Sequence, residues 1–204
     1  MSVALRQQVI VRLADETVFG HELLLAHPRE TLGLLADAGL LTGLDRYILD
    51  VAAQRAKNSD ELVFVNVTSE LLTERRLPFP PDEDLTGLVL EITERSRLDA
   101  EAAATYLAPF RERGLKVALD DFGDGFNGIS RWSVLRPDFV KVRLTDGVEV
   151  FLPMLVQVAA ELSAELVVEK VETEEQHVYL KKLGVQYGQG FYYGRPVPIE
   201  GGAA

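Results

Sequence analysis

Asp120 and Asp121 stand side by side at the end of an apolar run, Lys116-Val117-Ala118-Leu119, and a Gly-x-Gly turn, Gly123 to Gly125, follows them. Two carboxylates that a core strand delivers to a flexible loop are suited to hold a hard cation. Mg²⁺ and Ca²⁺ take oxygen ligands, and a strand end supplies them on rigid backbone. The same pair also fits an acidic cap for the next helix. The pair alone leaves both readings open, so the ends of the other apolar runs matter. Glu22 lies inside Val18 to Leu25, Asn66 near the end of Leu62 to Val67, and Glu91 near the end of Leu88 to Ile92. Lys141 lies in Phe139 to Arg143, Glu169 closes Leu166 to Glu169, and Gln189 lies in Val185 to Phe191. Acids are rarely left buried without a partner, and a matching polar residue on nearly every run is hard to explain by packing alone.

These runs are the predicted strands, together with Val9 to Leu13, which a hairpin-like turn (Ala14 to Thr17) joins to the Glu22 strand. Helical spacing marks Leu32 to Leu41 and Leu44 to Arg55. Asp99 can cap a helix with Ala103, Leu107 and Phe110 on one face, which Pro109 is expected to kink or end early. Further helices are predicted over 147–163, interrupted near its start by Pro153, and over Glu174 to Leu183. Strands alternating with helices imply a mostly parallel α/β sheet. About eight of them imply a TIM-like (β/α)8 barrel in a single domain, residues 1–198, with an unstructured tail over 199–204. In such barrels the chemistry sits at the C-terminal ends of the strands, where this sequence places its polar residues.

The 204 residues suit one domain, and 47% hydrophobic with 26% charged residues is an ordinary globular composition. A net charge of −11 argues against broad binding to a nucleic-acid polymer or an anionic membrane. It is compatible with a small anion whose charge a metal meets. The absence of cysteine excludes disulfides and thiolate metal sites. Met1 to Gln8 lacks an apolar signal core, and no run reaches the ~18 apolar residues of a membrane span, so a cytoplasmic protein is expected.

From Gln8 to Pro198 the pattern resembles the EAL domain family, barrel phosphodiesterases that open cyclic di-GMP to a linear dinucleotide. Gly20-His21-Glu22-Leu23-Leu24-Leu25 is similar to the signature segment, with Leu23 in place of its alanine. Asn66-Val67-Thr68, Glu91-Ile92-Thr93-Glu94, Asp120-Asp121-Phe122-Gly123-Asp124-Gly125-Phe126, Lys141, Glu169 with Glu172-Thr173, and Gln189-Gly190-Phe191 follow in the family's order. The resemblance implies that Glu22, Asn66, Glu91 and Asp120 hold a first Mg²⁺ or Mn²⁺, while Asp121 would help to hold a second and orient the attacking water. Lys141 and Glu169 would assist the attacking water, and Gln8 and Gln189 would support the ligand pocket. Glu94 would brace the loop after Asp121, and Glu172 would stand behind the ligands. By resemblance alone, two copies would pair near the Asp120-Asp121 loop.

Three positions depart from the family pattern. Ala26 stands where an arginine meets ligand phosphate, and His27 beside it points to the other strand face. Arg143 stands where the strand of Lys141 usually carries an aspartate for the second ion. That changes the local charge by two units, in the direction that repels a cation. Lys170 replaces a glycine after Glu169, as in the EAL branch joined to HDOD domains. Arg143 has two placements open to it, into the pocket or against a helix. Lys170 is expected in solvent, His21 and His177 as ordinary surface or packing residues, and Trp132 in the core or an interface. Three functions therefore stand: a nucleotide receptor or regulatory module with weak or no hydrolysis, an active metal-dependent phosphodiesterase giving linear pGpG, and a protein-binding module without nucleotide.

Overall fold

The computed structural model describes residues 3–28, 31, 33, 41–93, 98–123, 128–145 and 147–199. The helix expected over 32–41, Glu94, the Asp124-Gly125-Phe126 part of the loop and the tail beyond Ile199 lie outside the described residues or nearly so.

The strands are β1 (Leu5–Arg12), β2 (Val18–Leu25), β3 (Leu62–Asn66), β4 (Leu88–Thr93), β5 (Lys116–Asp120), β6 (Phe139–Arg143), β7 (Glu165–Glu169), β8 (Tyr187–Gln189) and β9 (Val197–Pro198). The described helices are α1 (Leu41–Lys57), α2 (Ser69–Thr73), α3 (Ala100–Arg111), α4 (Gly128–Leu135), α5 (Leu152–Glu161) and α6 (Glu174–Leu183), with a 3₁₀ turn at Val148–Val150. Strands β2 to β8 pair in chain order and in parallel, and β1 pairs with both β2 and β8, which closes a TIM-like barrel.

Parallel order fails at one place. Strand β1 runs antiparallel to both neighbours, and the short β9 lies antiparallel on β1. A parallel pair needs a crossover of about a dozen residues, and only five residues separate β1 from β2, so the turn forces a hairpin. That hairpin carries a bulge: Ile10 faces Gly20 while Val11 faces Val18, leaving Phe19 as the extra residue. Phe19 stacks on Tyr187 with ring centroids 3.7 Å apart. Gly20 makes room at this point, since a Cβ there would sit 2.6 Å from the Leu62 carbonyl oxygen.

Alternation along the strands makes two layers of core. Ile10, Phe64, Val89, Ala118, Phe139, Val167 and Tyr187 form one cluster, which plugs the barrel interior. Residues of the opposite parity, such as Leu90, Val117, Leu119, Val140, Val142 and Val168, belong to the larger cluster shared with the helices. The interior plug sets the site. Each of Phe64, Val89, Ala118, Phe139, Val167 and Tyr187 lies two residues before Asn66, Glu91, Asp120, Lys141, Glu169 and Gln189, and therefore on the same strand face.

Local signals fix most helix ends. Thr173 and Gln176 form a reciprocal cap at the start of α6, and Gly184 ends it at φ +88°, matching the predicted span. Asp99 accepts from the Glu101 and Ala102 backbone N–H groups at the start of α3. Pro109 does not stop that helix, which runs on to Arg111, because the proline falls in its last turn. Pro153 sits in the first turn of α5, where its missing N–H costs nothing, and the preceding residues wind as the 3₁₀ turn. Strand β8 is shorter than its apolar run, since Val185 donates back to Leu180 to close α6. No described helix is long and apolar enough to cross a membrane.

Candidate active site

At the C-terminal mouth of the barrel the chain buries Lys141 completely, which demands opposite charge. Its Nζ lies 2.6 Å from Glu91 Oε1, 2.8 Å from Glu169 Oε1, 3.2 Å from Glu22 Oε2 and 3.7 Å from Asp120 Oδ1. Four strands thus converge on a fifth. Asn66 Nδ2 donates to Glu91 Oε2 (3.0 Å) and Glu22 Oε1 (3.3 Å), holding the two acids side by side. Gln189 Nε2 donates to Glu22 Oε2 (2.6 Å) and to Gln8 Oε1 (3.3 Å). Gln8 in turn donates to the Gly194 carbonyl oxygen (3.0 Å), tying the rim of the mouth to β1.

The acids differ in the direction in which their pKa moves, because their surroundings differ. Burial pushes Glu22 up, but Lys141 and the hydrogen bond from Gln189 outweigh it and hold its pKa below the ordinary glutamate value. Burial and the adjacent Glu22 charge push Glu91 well above that value in spite of Lys141. Burial also raises Glu169 against the pull of Lys141. Burial opposes the charge on Lys141, yet Glu169, Glu22, Glu91 and Asp120 together raise its pKa well above that of a free lysine.

Strand alternation would send Asp120 and Asp121 to opposite faces. The backbone of Asp121 is left-handed instead (φ +56°), and Phe122 N–H donates to the Lys141 carbonyl oxygen at 3.0 Å. This turn returns the second carboxylate to the mouth. Asp120, Asp121 and Glu169 then offer oxygens that all lie within 4.8 Å of one another, a donor set suited to a divalent ion. Hard oxygen donors and their excess negative charge fit such an ion, and turning the Asn66 amide would add a carbonyl oxygen.

A cation already stands at this trio. The Arg143 guanidinium forms an ion pair with Asp121 Oδ1, and its Nε is 3.9 Å from Glu169 Oε2. Of the two placements open in the sequence, the structure takes the one in the pocket. Arg143 shares the face of Phe139 and Lys141 on β6, so its direction follows from the pleat.

The remaining predicted residues are scattered. Ala26 follows β2, its N–H donating to the Ala4 carbonyl oxygen at 3.0 Å, and His27 beside it is exposed. Glu172 is exposed, away from the buried acids, and its backbone N–H donates to Gln176 Oε1 at the start of α6. Lys170 is exposed, as expected, but its backbone is left-handed (φ +60°), which accounts for the special character of that position. Trp132 is fully buried, edge-on to Phe122 at 5.2 Å, and belongs to the core. His177 packs against Tyr193, with Nδ1 3.0 Å from its hydroxyl, and His21 pairs with Glu61. Arg131 goes unmarked in the sequence, yet it is buried and donates to the Thr93 carbonyl oxygen (3.1 Å) just past Glu91. Its one local signal is an arginine set among apolar residues of a short helix.

Comparison with known proteins bears on the family and the fold. The model of the EAL domain matches residues 2–196. A probable cyclic di-GMP phosphodiesterase of Escherichia coli K12, PdeB, is 27% identical over 97% of this chain, and the chain spans 43% of that relative's length. The solved structure of the phosphodiesterase PaMucR in complex with c-di-GMP superposes with a TM-score of 0.85 at 26% identity, covering 98% of this chain and 99% of the other. Klebsiella pneumoniae BlrP1, solved with calcium and cy-diGMP, shares the fold at a TM-score of 0.75 and 24% identity, over 97% of this chain and 56% of its own. With the barrel, the ring of strand-end acids and the family match all in agreement, the chain belongs to the EAL domain family.

Proposed function

We propose that this chain is a divergent EAL domain of cyclic di-GMP signalling that serves as a nucleotide receptor or regulatory module, with weak or no phosphodiesterase turnover. The observation that carries the reading is the Arg143 guanidinium on Asp121, within reach of Glu169. Five carboxylates at the mouth, those of Glu22, Glu91, Asp120, Asp121 and Glu169, face two internal cations, Lys141 and Arg143. The remaining negative charge suits one Mg²⁺ or Mn²⁺ rather than two. Glu22, Asn66, Glu91 and Asp120 are the residues that would hold it, and Arg143 takes the place of a second ion beside Asp121. When bound, such an ion polarises a phosphodiester and makes hydroxide available near neutral pH. The chain's own part is to orient: Asn66 and Gln189 set Glu22 and Glu91, while Lys141 places positive charge where a phosphoryl group turns most anionic.

A second reading, an active phosphodiesterase giving linear pGpG, draws support from Lys141, Glu169 and Asp121 meeting at one mouth. Binding and turnover of cyclic di-GMP, measured side by side with and without Mn²⁺, separate the two. The receptor reading expects binding without turnover at ordinary enzyme rates of ~1–10³ s⁻¹. Conversion by a pure sample at such rates refutes it. Arg143→Asp is expected to tighten Mn²⁺ binding by about tenfold, or ~1.4 kcal/mol, in calorimetry. Unchanged metal affinity would show that Arg143 does not compete with an ion.

A further inference from the structure

Buried polar and charged side chains, among the described residues, gather in one region with a single departure. Glu22, Glu91, Asp121, Lys141 and Gln189 belong to the mouth, and Arg131 stands beside it. His177 is buried apart from them, on α6. Both of its ring nitrogens face partners: Nδ1 lies 3.0 Å from the Tyr193 hydroxyl and Nε2 lies 3.5 Å from Glu16 Oε1 in the β1–β2 turn. A carboxylate only accepts, which favours the proton on Nε2 and leaves Nδ1 to accept from the hydroxyl. The Tyr192 ring stacks on the imidazole at 5.6 Å. A leucine and a phenylalanine would fill the same space without burying polar atoms, so the use of the hydroxyl–imidazole bond is to fix where Tyr193 lies.

What Tyr193 fixes leads back to the mouth. Its ring lies directly on β8, since a Cβ on Gly188 would sit 2.8 Å from a ring carbon and from the hydroxyl oxygen. Gly188 precedes Gln189, whose Nε2 donates to Glu22 Oε2. The backbone of Tyr193 belongs to a tight turn, in which the N–H groups of Tyr193 and Gly194 both donate to the Gly190 carbonyl oxygen at 3.1 Å. The Gly194 carbonyl oxygen then accepts from Gln8, and Gln8 accepts from Gln189. The path from His177 to Glu22 is continuous: imidazole, hydroxyl, turn, Gln8, Gln189, carboxylate. Groups standing behind a metal ligand set its orientation, and their loss typically changes metal affinity or activity by about 10–100-fold. Tyr193 stands further back, so a smaller effect is expected of it.

We propose that Tyr193, clamped by His177, is a positioning residue for the ion site: it holds the turn so that Gly194 orients Gln8, and Gln8 with Gln189 aims Glu22 at the ion. This rests on the reading of Glu22 as an ion ligand. The probe is Mn²⁺ alone, titrated into the full chain and followed by the electron paramagnetic resonance of the free ion, with a thermal melt of each variant. Tyr193→Phe keeps the ring on Gly188 and removes only the hydroxyl, and it should weaken Mn²⁺ binding about three- to tenfold. His177→Leu should do the same, while His177→Gln, which keeps an acceptor, should retain most of the affinity. In a Gln8→Ala background Tyr193→Phe should have no further effect, whereas a role in general stability would act in both backgrounds. Equal Mn²⁺ affinity in the wild-type chain and folded Tyr193→Phe, or an undiminished effect of Tyr193→Phe beside Gln8→Ala, overturns the proposal and leaves the ion site standing. No Mn²⁺ binding by the wild-type chain overturns the reading of the ion site itself, and this proposal with it.

Discussion

Lys141 is the counter-charge on which the mouth depends, because four carboxylates from β2, β4, β5 and β7 approach its ammonium group. Removing one partner of a buried charge set leaves the rest uncompensated and costs about 3–5 kcal/mol. Lys141→Met is therefore expected to lower stability by roughly that amount at neutral pH in urea unfolding. The sign of its pH dependence follows from the raised pKa values of Glu91 and Glu169. An acid whose folded pKa exceeds its unfolded one stabilises the fold below the unfolded value. That contribution is lost as pH rises through the folded value. The deficit of Lys141→Met should thus shrink toward acid pH, where these carboxyls hold protons, and Mn²⁺ should restore part of it near neutrality. A deficit that is constant with pH would show that charge is not its source. Arg143 teaches a related point: its type was legible as a change of charge, while its pairing with Asp121 needed the pleat and the turn together.

At the level of elements, the strands present site residues by alternation and the turns after them correct it. Asp121 and Lys170 both adopt left-handed backbone immediately after a strand-end acid. For a non-glycine residue this conformation costs roughly 1–2 kcal/mol. Lys170→Gly relieves that strain but adds about 0.4–1 kcal/mol of unfolded-state entropy. A net gain of roughly 0.5–1 kcal/mol is expected from the shift of the denaturation midpoint, with the slope unchanged. A loss of stability would mean that the lysine makes a compensating contact. The positive φ was not legible, since lysine rarely marks it, whereas the capping pair Thr173 and Gln176 and the terminal Gly184 made α6 readable to the residue. Pro109 misleads for the opposite reason: a proline restricts the helix locally, but the end of α3 places it where the restriction is mild.

For the whole molecule, the interior plug and the polar mouth are one construction, stacked two residues apart on each strand. Phe64 is fully buried in that plug, with its ring 5.3 Å from Phe139 and 6.4 Å from Phe19. Phe64→Ala should cost about 3–5 kcal/mol through the cavity it leaves. It should also weaken Mn²⁺ binding, because Asn66 loses the floor beneath it. Lost stability with unaltered metal affinity would show that the mouth is held from the rim, by contacts such as Gln8 to Gly194, rather than from below. Barrel closure itself depends on β1, whose antiparallel course brings Gln8 to the mouth by the residue order opposite to that of every other strand.

The amino-acid sequence by itself determined the alternation of strands and helices, the acids at the strand ends and the charge reversal at Arg143, because periodicity and residue type are local properties of the chain. Tertiary structure decided the rest. Closure seated β1 between β2 and β8, a left-handed turn carried Asp121 back to the mouth, and the convergence of five strands made Lys141 the shared partner of four acids.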